Sequence, residues 1–254
     1  MKYGFCVPFD EISNAKKAGF DYVELSLSNV TALSENEFSD LIKTLGSNNI
    51  SSKVMNGFFP GTLKIVGEID RQEITDYMKK ALDRAKLLGA KTVVFGSGRS
   101  RNIPDSEDRD KCISQLTDII REAGELASER KIKIVIEPLN RKETNVANTV
   151  SEAVELVKSL DHPNVSTMVD FYHFSMNGEK LDELLENAEY ISHIHIARGS
   201  EDRGVPTLKD KEWLTVLADT VKKIGYDSCI TVEARTTDLS VELPAAREAL
   251  KIFG

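Results

Sequence analysis

Eight short apolar runs alternate with longer amphipathic segments along the 254-residue chain, and this alternation predicts an α/β fold, a single (β/α)8 (TIM) barrel. The chain length suits one such barrel. No Pro- or Ser-rich linker and no shift in composition divides the sequence. One domain spanning residues 1–254 is therefore expected, with its active site at the carboxyl ends of strands five to eight.

Each apolar run is interpreted as one strand. In chain order the runs read YGFCV, YVELSL, SKVMNGF, TVVFGSG, KIVIEPL, STMVDF, ISHIHIA and CITVEA. The competing architecture is an open doubly wound sheet, which normally carries a glycine-rich turn after its first strand. Here the first run is followed by PFDEIS, and the GSG motif at residues 96–98 lacks the third glycine of that fingerprint. The pattern therefore favours the closed barrel.

The segments between the runs carry helical spacing and helix-end signals. Residues 70–90 place one apolar stripe on a helix that stops at Gly89. The stripe consists of Ile74, Met78, Ala81, Leu82 and Ala85. A second helix is predicted to open with Ser106 and has acidic residues in its first turn. A third begins at Thr149, with Glu152 at the capping-box spacing.

Composition and charge exclude several classes of protein. With 41% hydrophobic and 29% charged residues, the chain has the composition of a globular protein. A net charge of −8 disfavours a nucleic-acid partner, because such binding depends on clustered Lys and Arg. No segment approaches the roughly 20 apolar residues of a membrane span, and the amino terminus does not look like a signal peptide. We therefore expect a cytoplasmic protein with no membrane partner, and three reduced, buried cysteines: Cys6, Cys112 and Cys229.

Four polar residues end the last four predicted strands: Glu137, Asp170, His195 and Glu233. A β-branched residue precedes each one, as expected if each polar side chain points into the barrel. A single strand-end aspartate is more often a helix cap, but three carboxylates and one imidazole that converge need a compensating charge. A divalent cation would supply it. The donor set favours one Mn²⁺ ion, with Mg²⁺, Co²⁺ and Zn²⁺ as alternatives.

Two further histidines lie near these strand ends. His173 follows Asp170 by three residues and is expected to reach the same site from the loop. His193 shares a face with His195 but lies one layer deeper, where a core histidine with satisfied hydrogen bonds is the expected role.

Several arginines lie in the loops that follow strands. Arg203 is expected to contact the substrate. Arg99 and Arg101 are interpreted as solvated loop charges that could alternatively bind substrate oxygens or phosphate, and Arg198 has no assigned role.

The strand-end motifs resemble those of the xylose-isomerase-like TIM-barrel superfamily of sugar isomerases and epimerases, nearest the D-tagatose and D-psicose 3-epimerase branch. The specific motifs are EPLNRKE, DFYH, HIH and VEA, with NGFFP after the third strand as a weaker match. The resemblance covers the whole chain in strand order. It implies a small-molecule sugar substrate and a homo-oligomer, either a dimer or a tetramer.

The resemblance also implies roles for particular residues. The four strand-end residues would hold the metal, and Glu137 and Glu233 would also exchange protons with the substrate. The substrate would lie against Glu143, His173 and Arg203. The loop after strand seven, ARGSEDRGVPTLKDKEW, is longer than is usual in that family.

The predicted activity is epimerisation or isomerisation of a keto-sugar or sugar phosphate, by proton abstraction next to a carbonyl through a metal-stabilised enediolate. A dehydratase of the inosose or dehydroshikimate type and a hydroxypyruvate isomerase are alternatives. A catalytically silent sugar-binding barrel is a further one. An endonuclease-IV-like phosphodiesterase fits less well, because its three zinc ions need more histidines than the four in this chain.

Overall fold

A computed structural model describes all 254 residues, and in it the eight predicted strands close into one parallel barrel in chain order. Each strand pairs with the next, and the last pairs with the first, so no strand edge is left open. The strands are β1 (Lys2–Cys6), β2 (Tyr22–Ser26), β3 (Val54–Asn56), β4 (Thr92–Phe95), β5 (Lys133–Ile136), β6 (Val165–Asp170), β7 (Ile191–Ile196) and β8 (Cys229–Val232). The (β/α)8 barrel predicted from the sequence is confirmed.

Eleven α-helices cover the barrel or bridge its loops. They are α1 (Ile12–Lys17), α2 (Leu27–Ala32), α3 (Glu35–Ser47), α4 (Arg71–Leu87), α5 (Gly98–Arg101), α6 (Arg109–Glu129), α7 (Val150–Leu160), α8 (Phe171–Met176), α9 (Leu181–Glu186), α10 (Lys211–Lys223) and α11 (Leu239–Ala249). Short 3-10 helices lie at Phe9–Glu11, Ala188–Tyr190, Leu208–Asp210 and Leu250–Phe253. None of these helices combines the length and the apolar character needed to cross a membrane.

The helix ends follow the sequence signals with two corrections. The predicted stripe of α4 is buried, and Gly89 ends the helix region with a φ of 86°. The second predicted helix, α6, begins after Asp108 rather than Ser106, because the Asp108 carboxylate accepts from the backbone N–H of Lys111. Thr149 caps α7 as expected. The Glu152 carboxylate, however, accepts from the N–H of Asn148 instead of completing a capping box.

The inner face of the barrel changes from apolar to polar along the strands. One end holds a compact cluster, here called the apolar layer: Tyr22, Val54, Val94, Val135, Met168 and Cys229. Toward the carboxyl ends the same face carries what we call the polar layer: Glu24, Asn56, Glu137, Asp170, His195 and Glu233. The main hydrophobic core lies between the strands and the helices. This arrangement concentrates ionisable groups at one mouth of the barrel.

Candidate active site and metal centre

The four strand-end residues predicted from the sequence converge in the polar layer. Ligand atoms of Glu137, Asp170, His195 and Glu233 all lie within 4.8 Å of one another, so the group could hold a metal ion. Pairing of β6 with β7 places Asp170 opposite His195. The first three residues are buried, whereas the Glu233 side chain keeps 22% of its surface exposed. A small molecule could therefore approach the cluster on the side of Glu233.

The two glutamates in this cluster have opposite tendencies to bind a proton. Nδ1 of His195 lies 3.2 Å from Oε1 of Glu137 and 3.1 Å from Oε2 of Glu233. Burial and the charge of Glu233 raise the pKa of Glu137 above its ordinary value. Burial opposes ionisation of Glu233 as well, but His195 and Arg203 hold its pKa well below the ordinary value. Paired carboxyl groups with diverging pKa values are typical of acid and base partners.

Glu24 orients His195 from beneath, and sequence reasoning missed it. Its Oε1 lies 2.9 Å from Nε2 of His195, on the side of the ring away from Glu137 and Glu233. Burial works against ionisation of Glu24, yet His195 and His193 lower its pKa to about 2. A carboxylate that binds one imidazole nitrogen fixes the other toward the site. The only sequence signal was a charged residue at an inward position of the apolar run YVELSL.

His193 lies one layer below His195, as predicted. Its Nε2 is 3.3 Å from Oε2 of Glu24 and 3.3 Å from Oγ1 of Thr231. Its Nδ1 is buried and makes no hydrogen bond to another residue of the chain, so the protein itself binds only one of the two ring nitrogens. Burial lowers the pKa of His193, which favours the neutral ring beside the charged pair of Glu24 and His195.

Asn56 and Cys6 form a second wall of the polar layer that the sequence did not reveal. Nδ2 of Asn56 donates to Oε1 of Glu233 over 2.7 Å and to Sγ of Cys6 over 3.3 Å. Both residues line a cleft of about 290 Å³ that reaches Glu24. Cys6 is partly exposed rather than buried, which corrects the prediction, whereas Cys112 and Cys229 are buried and all three thiols are free. Desolvation of its Sγ atom beneath the barrel mouth and the nearby charge of Glu24 raise the pKa of Cys6, so it remains a thiol.

The predicted substrate contacts His173 and Glu143 lie next to the cluster. One carboxylate oxygen of Asp170 caps α8 by accepting from the N–H of Tyr172, which leaves Oδ2 at 3.6 Å from Nε2 of His173. Nδ2 of Asn140 lies 2.8 Å from Nδ1 of His173 and donates to Oε1 of Glu143 over 3.0 Å. Asn140 thus connects the two predicted contacts.

Arg203 reaches further into the cluster than the sequence indicated. Its Nη2 lies 2.7 Å from Oδ2 of Asp170 and 2.5 Å from Oε2 of Glu233. The guanidinium also stacks over the Tyr172 ring, 4.7 Å from the ring centroid. Burial opposes the charge of Arg203, but Glu233 and Asp170 outweigh it and raise its pKa. Arg203 therefore supplies part of the positive charge that the three carboxylates require.

Arg101 is buried, and the expectation of a solvated loop charge is wrong for it. Only 1% of the residue is exposed. Its guanidinium donates to the carbonyl of Phe95 over 3.1 Å and to the carbonyl of Glu137 over 2.7 Å. Burial lowers its pKa to about 10. By binding the chain at the ends of β4 and β5, Arg101 fixes the backbone from which Glu137 projects.

The other two loop arginines differ from Arg101. Arg99 is exposed, as expected, and Arg198 pairs with Asp202 four residues later on the same loop. Arg198 also borders a cleft of about 890 Å³, which lies between the loop after β7 and α11. That cleft is beside the polar layer and does not include any of the four converging residues.

Curated relatives of this chain are epimerases and isomerases. D-psicose 3-epimerase of Ruminiclostridium cellulolyticum is 25% identical over 232 residues, which cover 87% of this chain and 76% of that protein. Inosose isomerase of Halalkalibacterium halodurans is 25% identical over 239 residues, covering 88% and 81% of the two chains. Both names agree with the isomerase class predicted from the sequence.

Solved structures and a family model agree on the fold. A D-psicose 3-epimerase crystallised in the presence of D-fructose superposes with a TM-score of 0.84 at 20% identity, covering both chains completely. The 3-keto-D-glucoside 4-epimerase of E. coli gives 0.81 at 19% identity, covering 100% of this chain and 98% of that chain. The family model described as xylose isomerase-like TIM barrel matches residues 12–253. The chain therefore belongs to the xylose isomerase-like TIM barrel family.

Proposed function

We propose that this protein is a metal-dependent epimerase or isomerase of keto-sugars or sugar phosphates, with its active site at the carboxyl ends of β5 to β8. The observation that carries the proposal is the pair Glu137 and Glu233, which approach His195 Nδ1 from different strands. Epimerisation needs one group to remove a proton and another to return one to the opposite face. The ionised Glu233 suits the first role, and Glu137, whose pKa is raised, suits the second.

The proposed metal ligands are Glu137, Asp170, His195 and Glu233. Three carboxylate oxygens and one imidazole nitrogen fit a hard divalent cation, with Mn²⁺ expected first. When bound, such an ion acidifies the C–H next to a substrate carbonyl and stabilises the enediolate charge. Glu24 would hold the His195 ring for this purpose.

Substrate recognition is assigned to Glu143, His173 and Arg203. His173 and Glu143 are joined through Asn140 and offer polar groups to hydroxyl oxygens beside the cluster. Arg203, which contacts Asp170 and Glu233, is close enough to orient a carbonyl or hydroxyl oxygen at the reacting carbon. The names of the relatives, D-psicose 3-epimerase and inosose isomerase, support a polyhydroxylated carbonyl compound as the substrate.

Hydrogen exchange with solvent tests this reaction class. Metal-loaded protein in D₂O is incubated with a panel of keto-sugars, their phosphates and hydroxypyruvate, and each mixture is followed by NMR. We expect one substrate to incorporate deuterium next to its carbonyl and to form an epimer or isomer, whereas chelator-treated protein forms neither. Loss of water from a polyol or keto acid without exchange would instead indicate a dehydratase. Inactivity across the panel would contradict the proposal.

A further inference from the structure

A strongly cationic cleft lies at the same mouth of the barrel as the polar layer. It has a volume of about 300 Å³ and no hydrophobic side chain in its lining. We call it the cationic cleft. Its charged residues lie in the segments after β3, β4 and β5 and are Lys64, Arg99, Arg141, Lys142 and Glu143. Four cations thus face one carboxylate in a chain whose net charge is −8. A local excess of positive charge favours the binding of an anionic group.

The four cations differ in how far their charge is already compensated. Arg141 pairs with Glu152 over 2.9 Å, and Lys142 pairs with Glu201 over 3.2 Å. Nζ of Lys64 instead donates to the backbone carbonyl of Arg99 over 2.8 Å. Neither Lys64 nor Arg99 forms an ion pair with a carboxylate of this chain. These two side chains therefore keep charge and hydrogen-bond donors for a ligand.

The loops that carry Lys64 and Arg99 are fixed to each other. Oγ of Ser100 donates to the carbonyl of Pro60 over 2.9 Å, and the N–H of Ile65 donates to the carbonyl of Ser100 over 3.1 Å. A Cβ at Gly61 would lie 3.1 Å from Cδ of Arg99, so the loop packs directly on the stem of that arginine. The two uncompensated cations are therefore held side by side.

The cleft and the proposed reaction site share Glu143. Its Oε1 lies 4.0 Å from Nδ1 of His173, and Nε2 of His173 lies 3.6 Å from Oδ2 of Asp170. Only the width of one imidazole ring and these two contacts separate the cleft from the cluster. A ligand that extends from the cleft past His173 would therefore reach the cluster.

We propose that the cationic cleft binds the phosphate of a phosphorylated sugar whose reacting carbons lie at the polar layer. The inference rests on the proposed function and narrows its substrate class to sugar phosphates. A phosphate monoester carries close to two negative charges and three acceptor oxygens, which match the Arg99 fork and the Lys64 ammonium group. An uncharged sugar would leave both cations without a partner.

The test compares sugars with their phosphates as substrates of the metal-loaded protein. For the wild type we expect kcat/KM to be higher for a phosphorylated ketose than for the same ketose without phosphate. In the double variant Arg99→Ala/Lys64→Ala this preference should fall on the order of 100-fold, mainly through KM, because two charge-assisted hydrogen bonds are lost. The matched control is Lys43→Ala/Arg121→Ala, which removes two exposed cations on α3 and α6 and should keep the preference.

The possible outcomes separate this inference from the proposed function. Equal kcat/KM for both kinds of sugar, or a preference for sugar carboxylates, would overturn the phosphate assignment and leave the isomerase proposal standing. If no sugar reacts, the proposed function fails, and calorimetric titration with inorganic phosphate still decides the cleft. Binding by the wild type and the control but not by Arg99→Ala/Lys64→Ala supports the phosphate site. Equal heats of phosphate binding for the wild type, the control and the Arg99→Ala/Lys64→Ala variant would overturn the phosphate site.

Discussion

The apolar and polar layers are built on the same strands, yet their side chains face opposite energetic conditions. On β2, β3, β5 and β6 only one pleat period separates the two layers. The four pairs are Tyr22 and Glu24, Val54 and Asn56, Val135 and Glu137, and Met168 and Asp170. Burying apolar side chains stabilises the barrel, whereas burying several carboxylates costs free energy unless cations compensate them. On each of these strands, an apolar side chain that stabilises the fold is therefore followed two residues later by a polar side chain at the candidate site.

A glycine makes room for a large side chain in each layer. A Cβ at Gly4 would lie 2.2 Å from the ring of Tyr22 in the apolar layer. A Cβ at Gly96 would lie 2.1 Å from Oε2 of Glu137 in the polar layer. An added Cβ would meet three atoms of the Tyr22 ring at Gly4 but only one terminal carboxylate oxygen at Gly96, so the first clash strains the core and the second moves a reacting group.

The largest effect is expected from Glu233→Gln in the polar layer. The substitution keeps the shape of the side chain but removes its charge and its capacity to accept a proton. We expect deuterium exchange into the substrate to fall about 100- to 10,000-fold, the range typical of a lost general base. The fold should be retained at a lower melting temperature, because the lowered pKa of Glu233 shows that His195 and Arg203 stabilise its charged form in the folded protein. NMR exchange rates and melting curves provide both measurements.

The matched control is Glu125→Gln, at an exposed position of α6 far from both layers. It should leave the exchange rate and the melting temperature unchanged. An exchange rate for Glu233→Gln within tenfold of the wild-type rate would show that Glu233 is not the proposed base. The functional difference between the two layers would then lack its main support.

Substitution of the two glycines compares the layers with the same added methyl group. Gly96→Ala should displace the Glu137 carboxylate, so that activity falls about 100-fold or more, the order of effect of misplacing a reacting group by 1 Å. Gly4→Ala should lower the free energy of unfolding by about 1 to 3 kcal/mol, the usual cost of overpacking a core, and leave metal affinity unchanged. Urea unfolding and metal titration of both variants test the contrast. Loss of metal affinity in Gly4→Ala would show that the layers are mechanically coupled.

The sequence predicted the strands and the four converging residues because both are local signals. Each of those residues directly follows a β-branched residue at a strand end, which the pleat turns into an inward direction. Glu24 and Arg101 were missed because their roles depend on partners far away in the chain. Glu24 meets His195 across the barrel, at a separation of 171 residues, and Arg101 is buried only because the ends of β4 and β5 enclose it.

The metal affinity of the Glu24→Gln variant tests whether the residue that holds the His195 ring contributes to metal binding as the proposed ligands do. An amide cannot hold the His195 ring as a carboxylate does, so we expect metal affinity to fall about 10- to 100-fold, as for other outer partners of ligating histidines. Titration calorimetry with Mn²⁺ measures the change, and Glu125→Gln again serves as the control. An affinity within twofold of the wild type would restrict Glu24 to a packing role.

The smallest effect is expected at Glu179, a partly buried carboxylate that lies outside both layers. One of its oxygens accepts from the N–H of Val150 over 2.8 Å, and the other is buried without a partner. Burial raises its pKa from the ordinary 4.5 to about 7. Unlike Glu24 and Glu233, it has no cation to compensate its charge.

The sign of the pH effect follows from this raised pKa. The folded protein binds the proton more tightly than the unfolded chain, so the stability gained by protonation is complete below pH 4.5 and is lost as the pH rises through about 7. Glu179→Gln stays neutral and still accepts from Val150, so it should be more stable than the wild type by about 1 kcal/mol at pH 8 and equal to it at pH 4, after allowance for solvent screening. Urea unfolding at both pH values measures the difference. A variant that is less stable at pH 8 would mean that Glu179 is ionised and compensated, and the contrast between lone and clustered carboxylates would then not hold in this barrel.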